Sequence, residues 1–379
     1  MSQIDSHLPL VSVIIPAYNA EKFIGETLNS ALSQTYSNIE ILVVDDGSQD
    51  RTSEVVKAFV QKDERVILLQ QANAGVAAAR NLAIEKSRGE YIAPLDADDI
   101  WYPQKLEKQM QCFLGADESV GLVYAWSASI DEEGKIFWRS KTVNLDQINY
   151  VEGYVFTALV YSNFISNASV PLIRRACLER VGGYNCQLKA QNAQGCEDWD
   201  LSLRIAELYQ FRVVPEFLIG YRQVIGSMGS NCGTMERSYE LVMAQVKQKH
   251  PEISNDIYKW GKSNFYNYLI GKSSVCSDYY NVLIYLIKLL RVDGAVVLRA
   301  SLYRLFIRSI INLAFKKAIP LIQFWLKFTQ KASYTEQVWT VSALNMAIKC
   351  SQPVSWRPYD KITWQRTFKV VNQIGKIVI

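Results

Sequence analysis

Acidic side chains are clustered at three places in the sequence where a folded chain could use them for chemistry. One cluster is "DADD", directly after the apolar stretch "GEYIAPL", and the others lie in "VDDGS" and "CEDWDLSLR". The residues are Asp45, Asp46, Asp96, Asp98, Asp99, Glu197, Asp198 and Asp200. Buried acids this close repel one another, but hard oxygen ligands suit Mg²⁺ or Mn²⁺, which bridge protein carboxylates to substrate phosphates. The "DADD" cluster therefore predicts a divalent cation that holds a diphosphate.

Two other ways of binding phosphate, and a zinc site, are disfavoured by the sequence. Neither GxGxxG nor GxxxxGK[ST] follows the first apolar run, which argues against a dinucleotide-binding dehydrogenase and against a P-loop protein. The two histidines and seven cysteines include no CxxC pair, so no zinc site is predicted.

The elements that must position the acids alternate between strand and helix over the first hundred residues. Apolar runs predict strands at Val11–Ile15, which Pro16 should end, at Ile39–Val44, in "RVILLQ" and in "GEYIAPLD". Segments with helical spacing, such as "EKFIGETLNSALSQ", lie between them. This alternation predicts an α/β fold with a parallel sheet buried on both faces. Right-handed crossovers place the strands' carboxyl ends at one edge, where "PAYN", "DDGS" and "DADD" would meet in one crevice.

The length and composition of the chain limit its class. Its 379 residues, 49% hydrophobic and 21% charged, predict a packed globular protein of about two domains at roughly 150 residues each. The formal net charge of +4 gives no reason to expect a nucleic-acid partner. No basic segment followed by an apolar core opens the sequence, so no signal peptide is expected, and free thiols favour the cytoplasm.

Four stretches resemble, in order and spacing, the family 2 inverting glycosyltransferases with the GT-A fold. They are "VSVIIPAYNAEKFIGETLNSALSQTYSNIEILVVDDGSQDRT", "NAGVAAARNLAI", "GEYIAPLDADDIWYP" and "EDWDLSLR", and the resemblance covers about residues 10–225. It implies a GT-A fold, Rossmann-like with a mainly parallel sheet flanked by helices. From about residue 236 the sequence pattern itself becomes helical, which predicts a helical C-terminal extension. The implied enzyme is a hexosyl- or N-acetylhexosaminyltransferase that uses Mn²⁺ or Mg²⁺ and builds a bacterial-type surface polysaccharide or glycolipid. Its donor would be a nucleotide diphosphate sugar, foremost a UDP-sugar, and its acceptor a hydroxyl on a lipid-linked or saccharide molecule.

The resemblance assigns donor contacts and a metal ligand residue by residue. "PAYN" would wrap the base and ribose, Asp46 would accept the imide N–H of uracil, and Asp98 would ligate the metal directly. The donor-contacting set is Pro16, Ala17, Tyr18, Asn19, Glu21, Asp46, Asn73, Gly75, Arg80, Asp96 and Ala97.

Plainer structural roles stay open for several of these side chains. Asn19 could cap a helix, and Asp45 could brace its own loop. Arg80 could form an ion pair with one of the "DADD" acids instead of touching the donor. Asp99 is expected to cap the helix that starts near residues 102 and 103.

Inversion needs a carboxylate on the acceptor side to take the proton from the attacking hydroxyl. The resemblance assigns this general base to Asp198 and gives Glu197 a hydrogen bond to the acceptor or donor sugar. Asp200 is expected to face solvent or to cap the helix. The alternative is that the whole cluster is only an acidic helix start, favoured by the helix dipole. The nearby "VGGYN" either shapes the acceptor pocket or is a plain turn.

The sequence departs from the family pattern at Val224, where many members carry a histidine that helps to bind the diphosphate or metal. Weaker metal binding, or help from Arg222, is left open. Two competing functions are also considered. A non-catalytic nucleotide-sugar-binding or scaffold relative is disfavoured by intact Asp46, Asp98 and Asp198, and a nucleotidyltransferase by the lack of a glycine-rich basic loop.

We divide the chain into a nucleotide-sugar-binding half, 1–113, an acceptor-binding half, 114–235, and a helical region, 236–379. Within the last region, the segment from Gly294 to Thr335 has no acidic residue and carries several arginines and lysines among apolar runs. Such a segment is typical of peripheral contact with an anionic membrane, and the alternative is a helical extension with a solvated basic face. The expected location is the cytoplasm, peripheral on the inner face of the cytoplasmic membrane.

Overall fold

The structure, a computed structural model, describes residues 8–136, 151–224 and 231–314, together with Ile362, Gln365, Arg366, Lys369 and Val370. These residues divide into two units. The first unit contains the described residues up to 159 and those from 163 to 224. The second contains 160–162, 231–314 and the five C-terminal residues.

Four parallel strands form one half of a single sheet in the first unit. They are β1 (Val11–Ala17), β2 (Ile39–Asp45), β3 (Val66–Gln70) and β4 (Tyr91–Pro94), in the order β3-β2-β1-β4. The connecting helices are α1 (Ile24–Leu32), α2 (Thr52–Val60) and α3 (Val76–Lys86). Nearly every residue of β1 and β2 is buried, as expected for parallel strands covered on both faces.

The first strand continues past the proline that was expected to end it. β1 runs to Ala17, and Pro16 pairs with Val44 in the register with β2. The pairing of β1 with β4 ends at Ile14, before Pro16. The backbone N–H that proline lacks is therefore not needed for that pairing. Both Pro16 and Ala17 therefore lie inside the strand, at its carboxyl end.

The second half of the sheet mixes directions. Its elements are β5 (Ile100–Trp101), α4 (Lys105–Leu114), β6 (Val120–Ile130), α5 (Phe156–Tyr161), β7 (Leu172–Arg174), α6 (Arg175–Val181), α7 (Gln187–Ala190), α8 (Glu197–Ala206) and β8 (Gln210–Arg222). The eight strands lie in the order β3-β2-β1-β4-β7-β6-β8-β5. β7 is antiparallel to both neighbours and β5 is antiparallel to β8, whereas β6 and β8 are parallel. The predicted α/β class is confirmed.

Lys105, the first residue of α4, is completely buried next to the short strand β5. The Nζ atom of Lys105 lies 3.7 Å from the centroid of the Trp101 ring and 3.5 Å from the carbonyl oxygen of Pro171. Burial holds the pKa of Lys105 well below its ordinary value. The indole N–H of Trp101 donates to the Ser169 carbonyl at 2.9 Å. Trp101 and Lys105 thus connect β5 and α4 to residues 169–171, just before β7.

The second unit is helical, as the sequence predicts for the C-terminal region. It contains α9 (Cys232–Lys249), α10 (Asn255–Val275), α11 (Tyr279–Val292), a 3₁₀ helix (Gly294–Leu298) and α12 (Ala300–Ala314). Asn231, Ser254 and Asp278 cap α9, α10 and α11 through side-chain acceptors. No helix within the described ranges combines the length and the apolar character that crossing a bilayer requires.

Candidate active site

The "DADD" loop leaves the carboxyl end of β4 with one acid buried and two partly exposed. Asp96 and Asp98 are partly accessible, whereas Asp99 is fully buried. The Asp99 carboxylate accepts the Ser169 hydroxyl at 2.5 Å and the Arg222 backbone N–H at 2.9 Å. Burial, with the charges of Asp98 and Asp96, holds its pKa well above its ordinary value. The expected cap is wrong, since α4 begins after Gln104 and Asp99 instead ties the loop to the sheet.

Two hydroxyl side chains that sequence reasoning missed hold the main chain of this loop. The Ser169 hydroxyl accepts the Asp96 backbone N–H at 2.9 Å. The Thr27 hydroxyl, on α1, lies 2.9 Å from the Ala97 carbonyl oxygen and 2.8 Å from that of Asp99. Ala97 is itself buried, so its contribution here is made by its backbone. Residues from three distant parts of the chain, Thr27, Ser169 and Arg222, therefore hold this loop in place.

Arg80, on α3, joins the loop to the rest of the cluster. Its side chain is 6% exposed, and its Nη2 atom lies 2.5 Å from the Asp96 carboxylate. The guanidinium also stacks 5.0 Å from the centroid of the Tyr184 ring. Burial disfavours its charge, but the Asp96 carboxylate overcomes this and raises the pKa of Arg80. The ion pair that the sequence left open is present, while the buried Nε atom of Arg80 has no partner in the structure.

Asp46 follows β2 and holds the loop before α3. Its carboxylate accepts hydrogen bonds from the Ala74 and Gly75 backbone N–H groups, each at 2.8 Å, and from the Gln71 amide at 2.7 Å. The Asn73 side chain donates to the Asp46 carbonyl at 3.0 Å. This places Asp46, Asn73 and Gly75 together at the start of α3. Since an α-helix has about 3.6 residues per turn, Arg80 lies on the same helix about one and a half turns beyond Gly75.

The loops that follow β1 and β2 are hydrogen-bonded to each other. Asn19 adopts a left-handed backbone conformation, φ 49°, and its side chain accepts the Gln49 backbone N–H at 2.8 Å. The Asn19 backbone N–H donates to the Ser48 hydroxyl at 3.0 Å. Asp45 accepts the Ser48 N–H and the Ser53 hydroxyl, so it braces its own loop. Asn19 does not cap α1, which begins at Ile24, five residues later, with Phe23 at its N-cap position.

The residues after "PAYN" lie at the open side of this edge. The Tyr18 ring is 50% exposed, which leaves it accessible to a ligand. The Glu21 carboxylate accepts the Arg51 backbone N–H at 3.0 Å, and the Glu21 N–H donates to Asp50 at 3.1 Å. These bonds fasten the β1 loop to the start of α2.

α8 begins with the acidic cluster that contains the expected base. Asp198 is partly accessible in the first turn, and Glu197 beside it is buried, with one oxygen accepting the Gly195 N–H at 2.8 Å. Burial raises the pKa of Asp198 to about 6. The charge of Arg80 lowers this pKa, whereas the charges of Glu197 and Asp96 raise it. The cluster of Arg80, Asp96 and Asp198 is therefore one electrostatic unit.

Asp200 was expected to face solvent or to cap the helix, and it does neither. It is buried and its carboxylate accepts Nε and Nη2 of Arg204, at 3.0 and 2.8 Å. Arg204 in turn donates to three carbonyls of the "VGGYN" loop, those of Val181, Gly182 and Gly183. The pair thus holds that loop against α8.

The "VGGYN" loop is also fastened to α3. Asn81 donates to the Tyr184 carbonyl at 2.9 Å and accepts the Tyr184 N–H at 2.8 Å. A Cβ at Gly183 would lie 2.3 Å from the Asn81 side-chain oxygen, so only glycine allows this approach. The result is that the Tyr184 ring lies over Arg80.

Lys189, on α7, is a further residue that sequence reasoning missed. Its Nζ atom donates to the Asn73 side-chain oxygen at 2.8 Å. Its aliphatic chain lies over Gly75, where a Cβ would come 2.6 Å from the lysine Cδ. The sequence offers no local signal for this pair, which lies 116 residues apart.

The carboxylates after β4 could hold a divalent cation only together with ligands from outside the described residues. Within the described ranges, no group of three or more histidine, cysteine or acidic side chains is arranged to hold a metal alone. Asp98 and Asp96 offer carboxylate oxygens at the end of β4, and Asp96 is paired with Arg80. Mg²⁺ and related ions are commonly held by one or two carboxylates with substrate phosphates and water. The donor set fits a cation that is completed by a diphosphate. Val224 is described, but residues 225–230 lie outside the described ranges.

Comparisons with known proteins point to one family. A family model described as glycosyl transferase family 2 matches residues 12–170. An uncharacterized glycosyltransferase of Methanocaldococcus jannaschii is 30% identical over 273 residues, which cover 69% of this chain and 87% of that protein. A putative teichuronic acid biosynthesis glycosyltransferase of Bacillus subtilis, TuaG, is 44% identical over 104 residues, covering 27% of this chain and 41% of that protein.

Among solved structures, residues 1–349 of S. aureus TarS in complex with UDP-GlcNAc give a TM-score of 0.51. The match covers 79% of this chain and 88% of that chain at 16% sequence identity. At this identity the likeness shows the fold, which is the GT-A fold that the sequence resemblance implies.

Proposed function

Since the chain belongs to glycosyl transferase family 2, we propose that it is an inverting, metal-dependent enzyme that moves a sugar from a UDP-sugar to an acceptor hydroxyl. The observation that carries this proposal is the cluster of Arg80, Asp96 and Asp198. It combines the Asp198 carboxyl group, whose pKa is raised to about 6, with the buried guanidinium of Arg80, which pairs with Asp96 in the loop after β4. A general base with a pKa near neutral pH suits sugar transfer from a diphosphate. It lies beside the carboxyl edge of the sheet, where ligands of such sheets bind.

The donor is proposed to lie along the start of α3. The Asp46 carboxylate and the backbone of Asn73 and Gly75 would take the base, with Tyr18 packing on its open side. Arg80 and the N–H groups of the first turn of α3 would face the phosphates, because helix N-termini favour anions. The unpartnered Nε of Arg80 is the donor still to be satisfied there.

The cation, Mn²⁺ or Mg²⁺, would be held by Asp98, with Asp96 reaching it through water. When bound, it stabilises the negative charge that develops on the leaving diphosphate. Asp99 would not take part directly, since it is fully buried and its oxygens accept hydrogen bonds from Ser169 and Arg222. Its role is to hold the loop in place.

Asp198 is proposed as the general base. Its carboxylate takes the acceptor hydroxyl proton while that oxygen forms a bond to C1 of the sugar on the face opposite the nucleotide. The C1–oxygen bond to the diphosphate breaks, and the nucleoside diphosphate leaves. Glu197 would hydrogen-bond the sugar or acceptor through the oxygen that does not accept the Gly195 N–H.

The proposal is tested by incubating the full-length protein with a panel of UDP- and GDP-sugars and measuring nucleotide release. UDP-GlcNAc, the ligand solved with TarS, is the first donor to try. We expect slow hydrolysis of a UDP-sugar that requires Mn²⁺ or Mg²⁺ and stops when the metal is chelated, since water can replace the acceptor. Metal-dependent binding without any hydrolysis or transfer would instead support a non-catalytic relative.

The acceptor is proposed to be lipid-linked, on the basis of α12. One side of this helix carries apolar side chains that are 37–57% exposed, and they are Tyr303, Phe306, Ile307, Ile310, Ile311 and Leu313. Arg304 and Arg308 are exposed beside this stripe. An apolar stripe flanked by arginines is the pattern of a helix that lies in a membrane interface. The rest of the predicted segment, 315–335, lies outside the described residues.

Replacing Arg304 and Arg308 together by glutamine is expected to weaken binding to anionic liposomes about 30-fold. Each basic residue near such a surface contributes about 1 kcal/mol, and about 1.4 kcal/mol corresponds to a factor of ten. Flotation measures the binding, and it should also weaken at high salt. The matched control replaces Arg237 and Lys259, exposed on α9 and α10, and should change binding less. Equal flotation of the wild-type protein with neutral and anionic liposomes would contradict this proposal.

A further inference from the structure

Arg222, the last residue of β8, has a side chain with no exposed surface. Its Nε atom donates to the Asp98 carbonyl at 2.7 Å, and its Nη2 atom contacts the Glu26 carboxylate at 2.7 Å. Nη1 donates to the carbonyls of Asp131 and Glu132, at 3.0 and 2.8 Å. One guanidinium therefore links α1, the turn after β6 and the "DADD" loop.

Arg222 bonds to the Asp98 carbonyl and to the side chain of the next residue, Asp99. The guanidinium holds the Asp98 carbonyl, while the backbone N–H of Arg222 donates to the Asp99 carboxylate at 2.9 Å. Thr27 contacts the preceding Ala97 carbonyl oxygen at 2.9 Å. Because peptide units are planar, holding the units before and after Asp98 determines the direction in which its side chain leaves the backbone.

Arg222 is poorly placed to touch a ligand itself. Its side chain is fully buried, it stacks 4.7 Å from the centroid of the Phe23 ring, and its guanidinium donates to four protein oxygens. Its fork of five N–H groups suits several acceptors at once, which a lysine cannot match. The residue acts on the loop, and through the loop on Asp98.

We propose that Arg222 is a positioning residue that orients Asp98 toward the cation held with the donor diphosphate. This inference rests on the proposed function, in which Asp98 is the metal ligand. Partners that orient a metal ligand typically contribute about 10–100-fold to metal affinity or activity. Arg222 would provide this orientation through the Asp98 backbone instead of its carboxylate.

The test measures UDP affinity by calorimetry in the full-length protein, with and without Mn²⁺, for wild type and Arg222→Lys. We expect Mn²⁺-dependent UDP binding to weaken about 10–100-fold, with metal-free UDP affinity unchanged. The Mn²⁺ concentration that half-saturates donor hydrolysis should rise, and kcat should recover at high Mn²⁺. Arg212→Lys on the same strand, whose side chain is 43% exposed and pairs with Glu152, is the matched control and should change neither affinity.

A second variant covers the case in which Arg222→Lys does not fold. Glu26→Ala removes the half-exposed carboxylate that Arg222 contacts, and should weaken Mn²⁺–UDP binding in the same direction but by less. An unchanged Mn²⁺–UDP affinity in a folded Arg222 variant overturns the inference, and so does an equal loss of metal-free UDP affinity, which would mean direct ligand contact. If wild-type protein binds UDP equally with and without metal, the metal step of the proposed function fails, and this inference fails with it.

Discussion

Asp198→Asn is expected to lower turnover by about 10²–10⁴-fold, the usual contribution of a positioned general base, while donor affinity stays unchanged. The amide cannot take the acceptor proton, but it keeps the size of the side chain. The measurement is steady-state transfer, with UDP-sugar binding followed by calorimetry. A larger loss in Glu197→Gln than in Asp198→Asn would contradict the assignment and exchange the roles of the two acids.

The same residue predicts how rate depends on pH. The base must be deprotonated to act, and burial raises the pKa of Asp198 to about 6. In the free enzyme, kcat/KM should therefore fall as pH decreases through about 6 and level off above it. Asp198→Asn should lose this dependence on pH. An unchanged acidic limb in the variant would show that another group titrates.

Asp98→Asn is expected to weaken Mn²⁺-dependent UDP binding by more than about 100-fold, because losing a direct ligand should cost at least as much as losing its outer partners. Metal-free UDP binding should remain, since the Asp46 loop is not touched. Calorimetry with and without Mn²⁺ measures both. Asp117→Asn, an exposed acid outside the cluster, is the matched control and should behave as wild type.

Although Asp98→Asn should lose metal-dependent binding, its thermal stability should be equal to or higher than that of the wild type. Asp98 is one of two charges that raise the pKa of buried Asp99, so removing it relieves repulsion within the cluster. Thermal unfolding of the variant should occur at the same temperature or higher. A clear loss of thermal stability, with UDP binding lost even without metal, would mean that Asp98 supports the fold.

The sequence by itself predicted the fold class, carried the family resemblance and indicated the edge of the sheet at which the candidate site is expected. Alternating apolar strands and helices predict a parallel sheet from local periodicity, and crossover handedness decides where strand ends gather. The α/β fold with a helical C-terminal region is confirmed, as is the family. The roles of Asp46, Asp98 and Asp198 stay predictions, although the structure joins Arg80 to Asp96 beside Asp198.

Some side-chain roles carried local signals that sequence reasoning did not use. Asp200 and Arg204 are four residues apart on one helix, a spacing that favours an ion pair. Asp200 was nevertheless expected to face solvent or to cap the helix. A helix cap was expected at Asp99 because a proline and a helix follow, but the short strand β5 intervenes and the carboxylate is drawn inward.

Only the tertiary structure decided what holds the site in place. Arg222 reaches the Asp99 carboxylate across 123 residues, Lys189 reaches Asn73 across 116, and Ser169 reaches Asp96 across 73. The Ser169 and Arg222 contacts depend on β7 lying beside β4 and on β8 pairing with β5, which local sequence patterns do not specify. Hydrophobic periodicity indicates which face of a helix or strand is buried. Which other element packs against that face depends on the order of the strands, and that order is set by the packing of the whole sheet.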